Sequence, residues 1–173
     1  LYEFLMLELL RTGSEWTLIT MHPAAFTCIC TTELADMQAR MHEFEKRGCK
    51  VIAFCCAPTD EIVDWGWDTL DMANQHCVPN LYPGEPNRTR TTFGIPFISD
   101  PTYRIATQLR LLDTRAESFG MDAWPVRGCY LLDRLNRVRC QWNYPLSIGR
   151  NTEEILRVVE ALQVTSLLPM VVG

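Results

Sequence analysis

The sequence predicts an α/β protein: a central mixed β-sheet flanked by helices on both faces. Three observations predict it. Short apolar, β-branched runs at 16–21, 50–56 and 95–99 alternate with segments of helical period. A strand–turn–strand pattern follows at 126–144, and an amphipathic helix closes the series at 151–164. Alternation of this kind, then a hairpin and a last helix, is the pattern of a sheet covered on both sides.

Taken in order, residues 1–11 favour a helix and Gly13 breaks it. The run Trp16-Thr17-Leu18-Ile19-Thr20-Met21 reads as a buried strand. After it, Leu34, Met37, Met41 and Phe44 recur at helical spacing while Asp36, Arg40, Glu43, Glu45 and Lys46 fill the other face. This predicts a helix over about 30–47, stopped by Gly48. A second buried strand spans 50–56. Pro58 opens a helix to about Met72, with Thr59 or Asp60 as its cap and Ile62, Trp65 and Leu70 facing inward. From 75 to 92 the chain turns polar and holds Pro79, Pro83, Gly84 and Pro86, a long loop. A strand at 95–99, a helix at 102–112, a loop at 120–125 and the hairpin strands 126–133 and 137–144 complete the sheet.

Composition narrows the function classes. At 173 residues and 47% hydrophobic the chain builds one core, read as a single domain over 1–173 with its core at about 16–164. A net charge of −5 with no basic stripe argues against nucleic acid. No apolar run reaches the length of a membrane span, so no membrane partner is expected. Residues 1–10 are apolar but lack a basic leader and a small-residue cleavage site, so a cytoplasmic protein is expected. The eight cysteines, several of them inside apolar strands, suit free thiols in a reducing compartment rather than a disulfide framework. Cys28-x-Cys30 and His76-Cys77 hold ligand-type side chains, but without paired C-x-x-C spacing neither a metal nor any other cofactor is expected.

One position carries chemistry. Cys30 lies where a strand hands over to a helix N-terminus, among backbone N–H groups without intrahelical partners. Their partial positive charge favours thiolate over thiol, which makes Cys30 a candidate nucleophile.

The surrounding residues resemble a known family. Pro23, Thr27 and Cys30 stand at the spacing Pro-x-x-x-Thr-x-x-Cys, similar to the active-site loop of the peroxiredoxins. Thr31, where 2-Cys members usually carry proline, and His22 before the proline resemble the 1-Cys, peroxiredoxin-6-like branch. Further matches follow at 95–101, 125–127, 149–151 and 154–157, so the resemblance spans about 16–163. It implies a thioredoxin-like fold and a thiol-dependent peroxidase. Cys30 is then the peroxidatic cysteine, attacking hydrogen peroxide or an alkyl hydroperoxide to give a sulfenic acid. Arg127, heading a core strand, takes the family role of contacting that thiolate. Thr27 offers its hydroxyl to the peroxide, and Pro23 shields the pocket. His22 is placed near the thiolate, with a purely structural histidine as an open alternative. Arg150 matches a second family arginine, or else forms an ion pair at a helix entry. Glu33 is placed in the first helical turn, suiting the dipole or pairing with an arginine.

The resemblance also implies partners: the peroxide, an external thiol reductant (glutathione or a thioredoxin-like protein) and a second copy in a homodimer. No Val-Cys-Pro element of the 2-Cys type follows the last helix. Cys28, where the family usually has proline, is a candidate second thiol that crowds Cys30, links to it, or merely lines the pocket. The family's initial hairpin and the C-terminal domain of 1-Cys members have no counterpart in these 173 residues. Some 1-Cys members carry a phospholipase Ser-His-Asp set; Glu15, Tyr2 and Asn136 stand at those places, and that activity is not expected. Two other readings stay open: a redox sensor or interaction protein on the same fold, and a disulfide exchanger using Cys28 and Cys30.

Overall fold

The computed structural model describes residues 15–85, 88–113 and 124–167. Its centre is a five-stranded mixed sheet ordered β3-β2-β1-β6-β7, formed by β1 (Trp16–His22), β2 (Cys49–Cys55), β3 (Phe97–Ser99), β6 (Arg127–Leu132) and β7 (Val138–Tyr144). β1, β2 and β3 run parallel, β6 pairs antiparallel beside β1, and β7 pairs antiparallel beside β6. Every residue of β1 is buried, as expected of a central strand covered on both faces. β7 alternates exposed and half-buried residues along the sheet edge.

Helices α1 (Cys28–Ala39), α2 (Met41–Lys46), α3 (Thr59–Met72) and α6 (Thr152–Leu167) cover one face. Their Leu34, Phe44, Trp65 and Val159 pack on Leu18, Val51 and Leu131 of the sheet. The opposite core holds Ile19, Met21, Ile52 and Phe54 against Ala106 of α5 (Arg104–Gln108) and Leu111.

Several expected boundaries shift. The single helix expected over 30–47 is two helices that meet at Arg40 (φ −97°, ψ 11°), and the first begins at Cys28. The Arg40 guanidinium fixes that corner, donating to Asp36 at 3.1 Å and to Glu153 of α6 at 3.0 Å. Gly48 ends α2 at φ +54°, the left-handed region that glycine reaches without steric cost. Neither Thr59 nor Asp60 caps α3. Pro58 holds the cap position, and Asp60 and Glu61 fall in the first turn. The polar stretch 75–92 is not all loop. A π-helical turn (Ala73–Cys77) leads into the short α4 (Val78–Leu81), and Asn74 ties the return by bonding both the N–H and the carbonyl of Arg90. Pro79 sits in the first turn of α4, where its missing N–H has no helical partner to lose, while Pro83 and Gly84 keep their turn. A two-stranded ribbon, β4 (Leu112–Asp113) with β5 (Trp124–Pro125), replaces the end of the expected 120–125 loop. The helix expected over 1–11 and the glycine break lie outside the described residues.

Candidate active site

β1 carries the chain upward and ends at His22. Phe26, at φ +54°, then turns it back, and Thr27, in extended conformation, starts α1. The Thr27 carbonyl accepts from the Thr31 N–H at 2.9 Å, the opening bond of the helix. Cys30 therefore sits in the first turn of α1 and is fully buried over the end of the sheet.

Arg127 from β6, Arg150 from the segment ahead of α6 and Glu33 from α1 itself bring charge to it. Arg127 is the first residue of β6, two strand positions before Cys129, which pairs with Thr20 of β1. Its Nη1 donates to Cys30 Sγ at 3.2 Å and to Glu33 Oε2 at 2.8 Å, while its Nε donates to the Leu146 carbonyl at 2.9 Å. Glu33, one turn after Cys30, is buried, not in the first turn of the helix as expected. Its Oε1 accepts from Arg150 Nε at 2.9 Å and from the Arg150 N–H. Arg150, just ahead of α6, also donates to the Gly128 carbonyl at 3.0 Å and to Cys129 Sγ at 3.4 Å. One carboxylate thus holds two guanidinium groups, all three side chains nearly sealed from solvent.

His22 completes the cluster. Burial, then the Arg150 and Arg127 charges, hold its imidazole well below the usual histidine range, so it is neutral near pH 7. It lies 3.3 Å from Arg150 Nη2 and edge-on to Trp65, 5.8 Å between ring centres. Its polar contacts are with Arg150, Thr20 and, at 3.9 Å, Glu33, not with Cys30. Burial opposes the Arg150 charge, the Cys129 sulfur and Glu33 support it, and the balance favours the cation. Arg127, Arg150, Glu33 and His22 thus form one buried cluster, and Arg127 is the member that touches the Cys30 sulfur.

The remaining candidates are placed as follows. Pro23 is buried beside the site, and Thr27, half-buried, donates its hydroxyl to the Ala24 carbonyl at 3.3 Å. Cys28 is exposed while Cys30 is buried, and both are free thiols. Cys55 ends β2 opposite His22. Burial, then the nearby Cys30 and Cys56, push its thiol up to about 12. Two participants were not singled out for the site from sequence. Trp65 donates its indole N–H to Thr31 at 2.9 Å, anchoring the helix that carries Cys30, and Leu146 supplies only a backbone carbonyl. The tryptophan was legible as inward-facing; a carbonyl leaves no trace in residue type. Among the described residues no group of His, Cys, Asp and Glu is arranged to hold a metal ion.

Comparison with known proteins points the same way. The AhpC/TSA family matches residues 6–141. The chain is 31% identical over 153 residues to a 1-Cys peroxiredoxin of Onchocerca volvulus, covering 88% of this chain and 63% of that one. It is 29% identical over 154 residues to 1-Cys peroxiredoxin PER1 of Arabidopsis thaliana, covering 89% and 62%. The chain thus spans about three-fifths of the length of these curated relatives. Among solved structures, a mutant of peroxiredoxin 6 from Arenicola marina superposes with TM-score 0.78 at 26% identity, covering 93% of this chain and 66% of that one. A yeast mitochondrial 1-Cys peroxiredoxin gives 0.69 at 25%, covering 99% and 73%. With a family match over most of its length and a sheet, helix order and buried cysteine to accompany it, the chain belongs to the AhpC/TSA family.

Proposed function

We propose that this protein is a 1-Cys-type thiol peroxidase that reduces hydrogen peroxide and alkyl hydroperoxides at Cys30. The observation that carries the reading is the 3.2 Å contact between Arg127 Nη1 and the buried Cys30 sulfur. A buried cluster with two guanidinium groups and one carboxylate is short of one negative charge, and an uncompensated buried cation is costly. A thiolate at Cys30 supplies that charge at the end of an α-helix where dipole and backbone N–H groups add to it.

In the reaction the thiolate attacks the terminal peroxide oxygen. The S–O bond forms as the O–O bond breaks, and the departing oxygen takes a proton to leave as water or alcohol. Arg127, already within reach of the sulfur, is placed to stabilise charge on the reacting oxygens, and the Thr27 hydroxyl becomes the second donor by turning its proton from the Ala24 carbonyl to the peroxide. Pro23 has no N–H and keeps water from the thiolate. Glu33 and Arg150 position Arg127, and His22 fills the space behind them as a neutral ring. An external thiol then condenses with the sulfenic acid, releasing water, and a second thiol frees Cys30. The yeast mitochondrial relative resolves its thiol via glutathione/thioredoxin systems, which supports the same reductant class here. The disulfide-exchange reading gives the Arg127 contact with Cys30 no purpose, which speaks against it.

A single domain over the whole chain, a homodimer formed through the β7 edge, and a cytoplasmic setting suited to free thiols complete the proposal. The test is rapid-mixing consumption of hydrogen peroxide by the reduced protein. A fast stoichiometric reaction lost in Cys30→Ser and strongly slowed in Arg127→Ala is expected. A wild-type rate no higher than that of a free thiol would refute the peroxidase reading.

A further inference from the structure

Helix α3 gathers an unusual share of the protein's charge on its outer face. It carries Asp60, Glu61, Asp64, Asp68 and Asp71 and no lysine, arginine or histidine. These five carboxylates equal the net charge of the whole chain, −5. All five are exposed, and none has an ion-pair or hydrogen-bond partner among the described residues. Most other acidic side chains among the described residues are paired, Glu15 excepted: Glu43 and Glu160 with Arg47, Glu45 with Arg90, Glu153 with Arg40, Glu154 with Arg157.

The spacing works against an isolated helix. Asp60 and Asp64, then Asp64 and Asp68, are four residues apart, and Asp71 follows three after Asp68, where like charges on a helix repel. Asp68 and Asp71 also lie toward the C-terminal end, whose partial negative charge disfavours them, and the last turn holds no base. Along one edge of this face Val63 and Trp67 stand one turn apart, 53% and 54% exposed. Trp67 contrasts with Trp65 on the inner face, which is fully buried. An exposed indole flanked by carboxylates accepts a lysine or arginine over its face and the aliphatic stem along its edge.

We propose that the outer face of α3 is a docking surface for a cationic amphipathic segment of a partner protein. Val63 and Trp67 take its apolar side, and Asp64, Asp68 and Asp71 take its lysines or arginines. The proposal is independent of the peroxidase reading. The same helix reaches the active-site helix on its inner side through Trp65 and Thr31.

The test uses a synthetic helical peptide of lysine and leucine, titrated into the full chain at about 0.15 M salt, where unspecific surface attraction is screened beyond about 8 Å. Amide NMR maps the contact and calorimetry gives the affinity. Saturable binding with shifts confined to α3 is expected. Asp64→Asn with Asp68→Asn, and separately Trp67→Ala, should each weaken it about tenfold or more. Glu153→Gln with Glu154→Gln on α6 should leave it unchanged. The double asparagine variant removes repulsion, so its thermal midpoint should equal or exceed that of wild type and show that folding is intact. Absence of binding, shifts spread over all acidic surfaces, or a Trp67→Ala variant that binds like wild type would overturn the proposal.

Discussion

Glu33 and Arg127 share a hydrogen bond of 2.8 Å, and the guanidinium nitrogen that makes it stands 3.2 Å from the Cys30 sulfur. The carboxylate therefore sets where the positive charge meets the thiol. It does the same for Arg150 through its other oxygen. A single acidic side chain fixes both arginines of the site.

Glu33→Gln keeps the shape and removes that charge. Two buried guanidinium groups are then left without their anion, and breaking a buried pair of this kind costs about 3–5 kcal/mol. Urea unfolding should show a loss of that order. Stopped-flow peroxide consumption should fall with it in the fraction that stays folded. A variant as stable as wild type would mean that the arginines find another counter-charge.

Arg127→Lys separates charge from geometry. The native guanidinium uses Nη1 for Cys30 and Glu33 and Nε for the Leu146 carbonyl, a fork that an ammonium cannot reproduce. Loss of one preorganised donor costs about 10²–10³ in rate in comparable oxyanion sites. The peroxide rate of the lysine variant should drop by at least about tenfold on that scale, while its stability changes little relative to Arg127→Ala.

Thiol accessibility provides a chemical map. Burial pushes the Cys49 thiol up to about 12, against a backbone hydrogen bond at Leu18 that lowers it and with a smaller push from Glu15, and burial raises Cys55 likewise, whereas Cys28 is exposed. Brief alkylation of the reduced native protein at pH 8, read by peptide mass spectrometry, should label Cys28 and spare Cys49 and Cys55. Labelling of Cys55 at the Cys28 rate would contradict the packing at the end of β2.

Asp133 predicts part of the acid response. Burial alone would raise its carboxyl, but Arg137 and the N–H groups of Arg137 and Leu135 bring it down to about 2. An unfolded aspartate titrates near 3.9. Between those values the unfolded chain binds more protons than the folded one, so stability rises with pH. The contribution is present above about pH 4 and fades as pH falls toward 2. In Asp133→Asn this part of the acid-induced loss should vanish, and the pH dependence of the urea midpoint should flatten over that window.

Gly128→Ala tests the packing behind Arg127. A Cβ at this position would collide with the Leu111 side chain, which is itself buried. Overpacking of a filled core costs about 1–3 kcal/mol. A thermal midpoint lowered accordingly is expected, and an unchanged midpoint would show that Leu111 has room to rotate away.

The sequence by itself determined the alternation of elements, because apolar run length and period are local properties. It placed β1, β2, β6 and α6 to within a few residues, and the Pro23, Thr27, Cys30 spacing pointed to the candidate site. It also placed Arg127 at the head of a strand. Tertiary structure decided the rest. Whether 30–47 was one helix or two depended on Arg40 reaching Glu153, a contact across 113 residues that no local pattern carries. The role of Glu33 depended on two arginines, 94 and 117 residues away, converging on one carboxylate. Helix-dipole reasoning put its charge at a helix start; burial between two cations put it at the centre of the site. Long-range electrostatics in a low-dielectric interior, not local preference, made that difference.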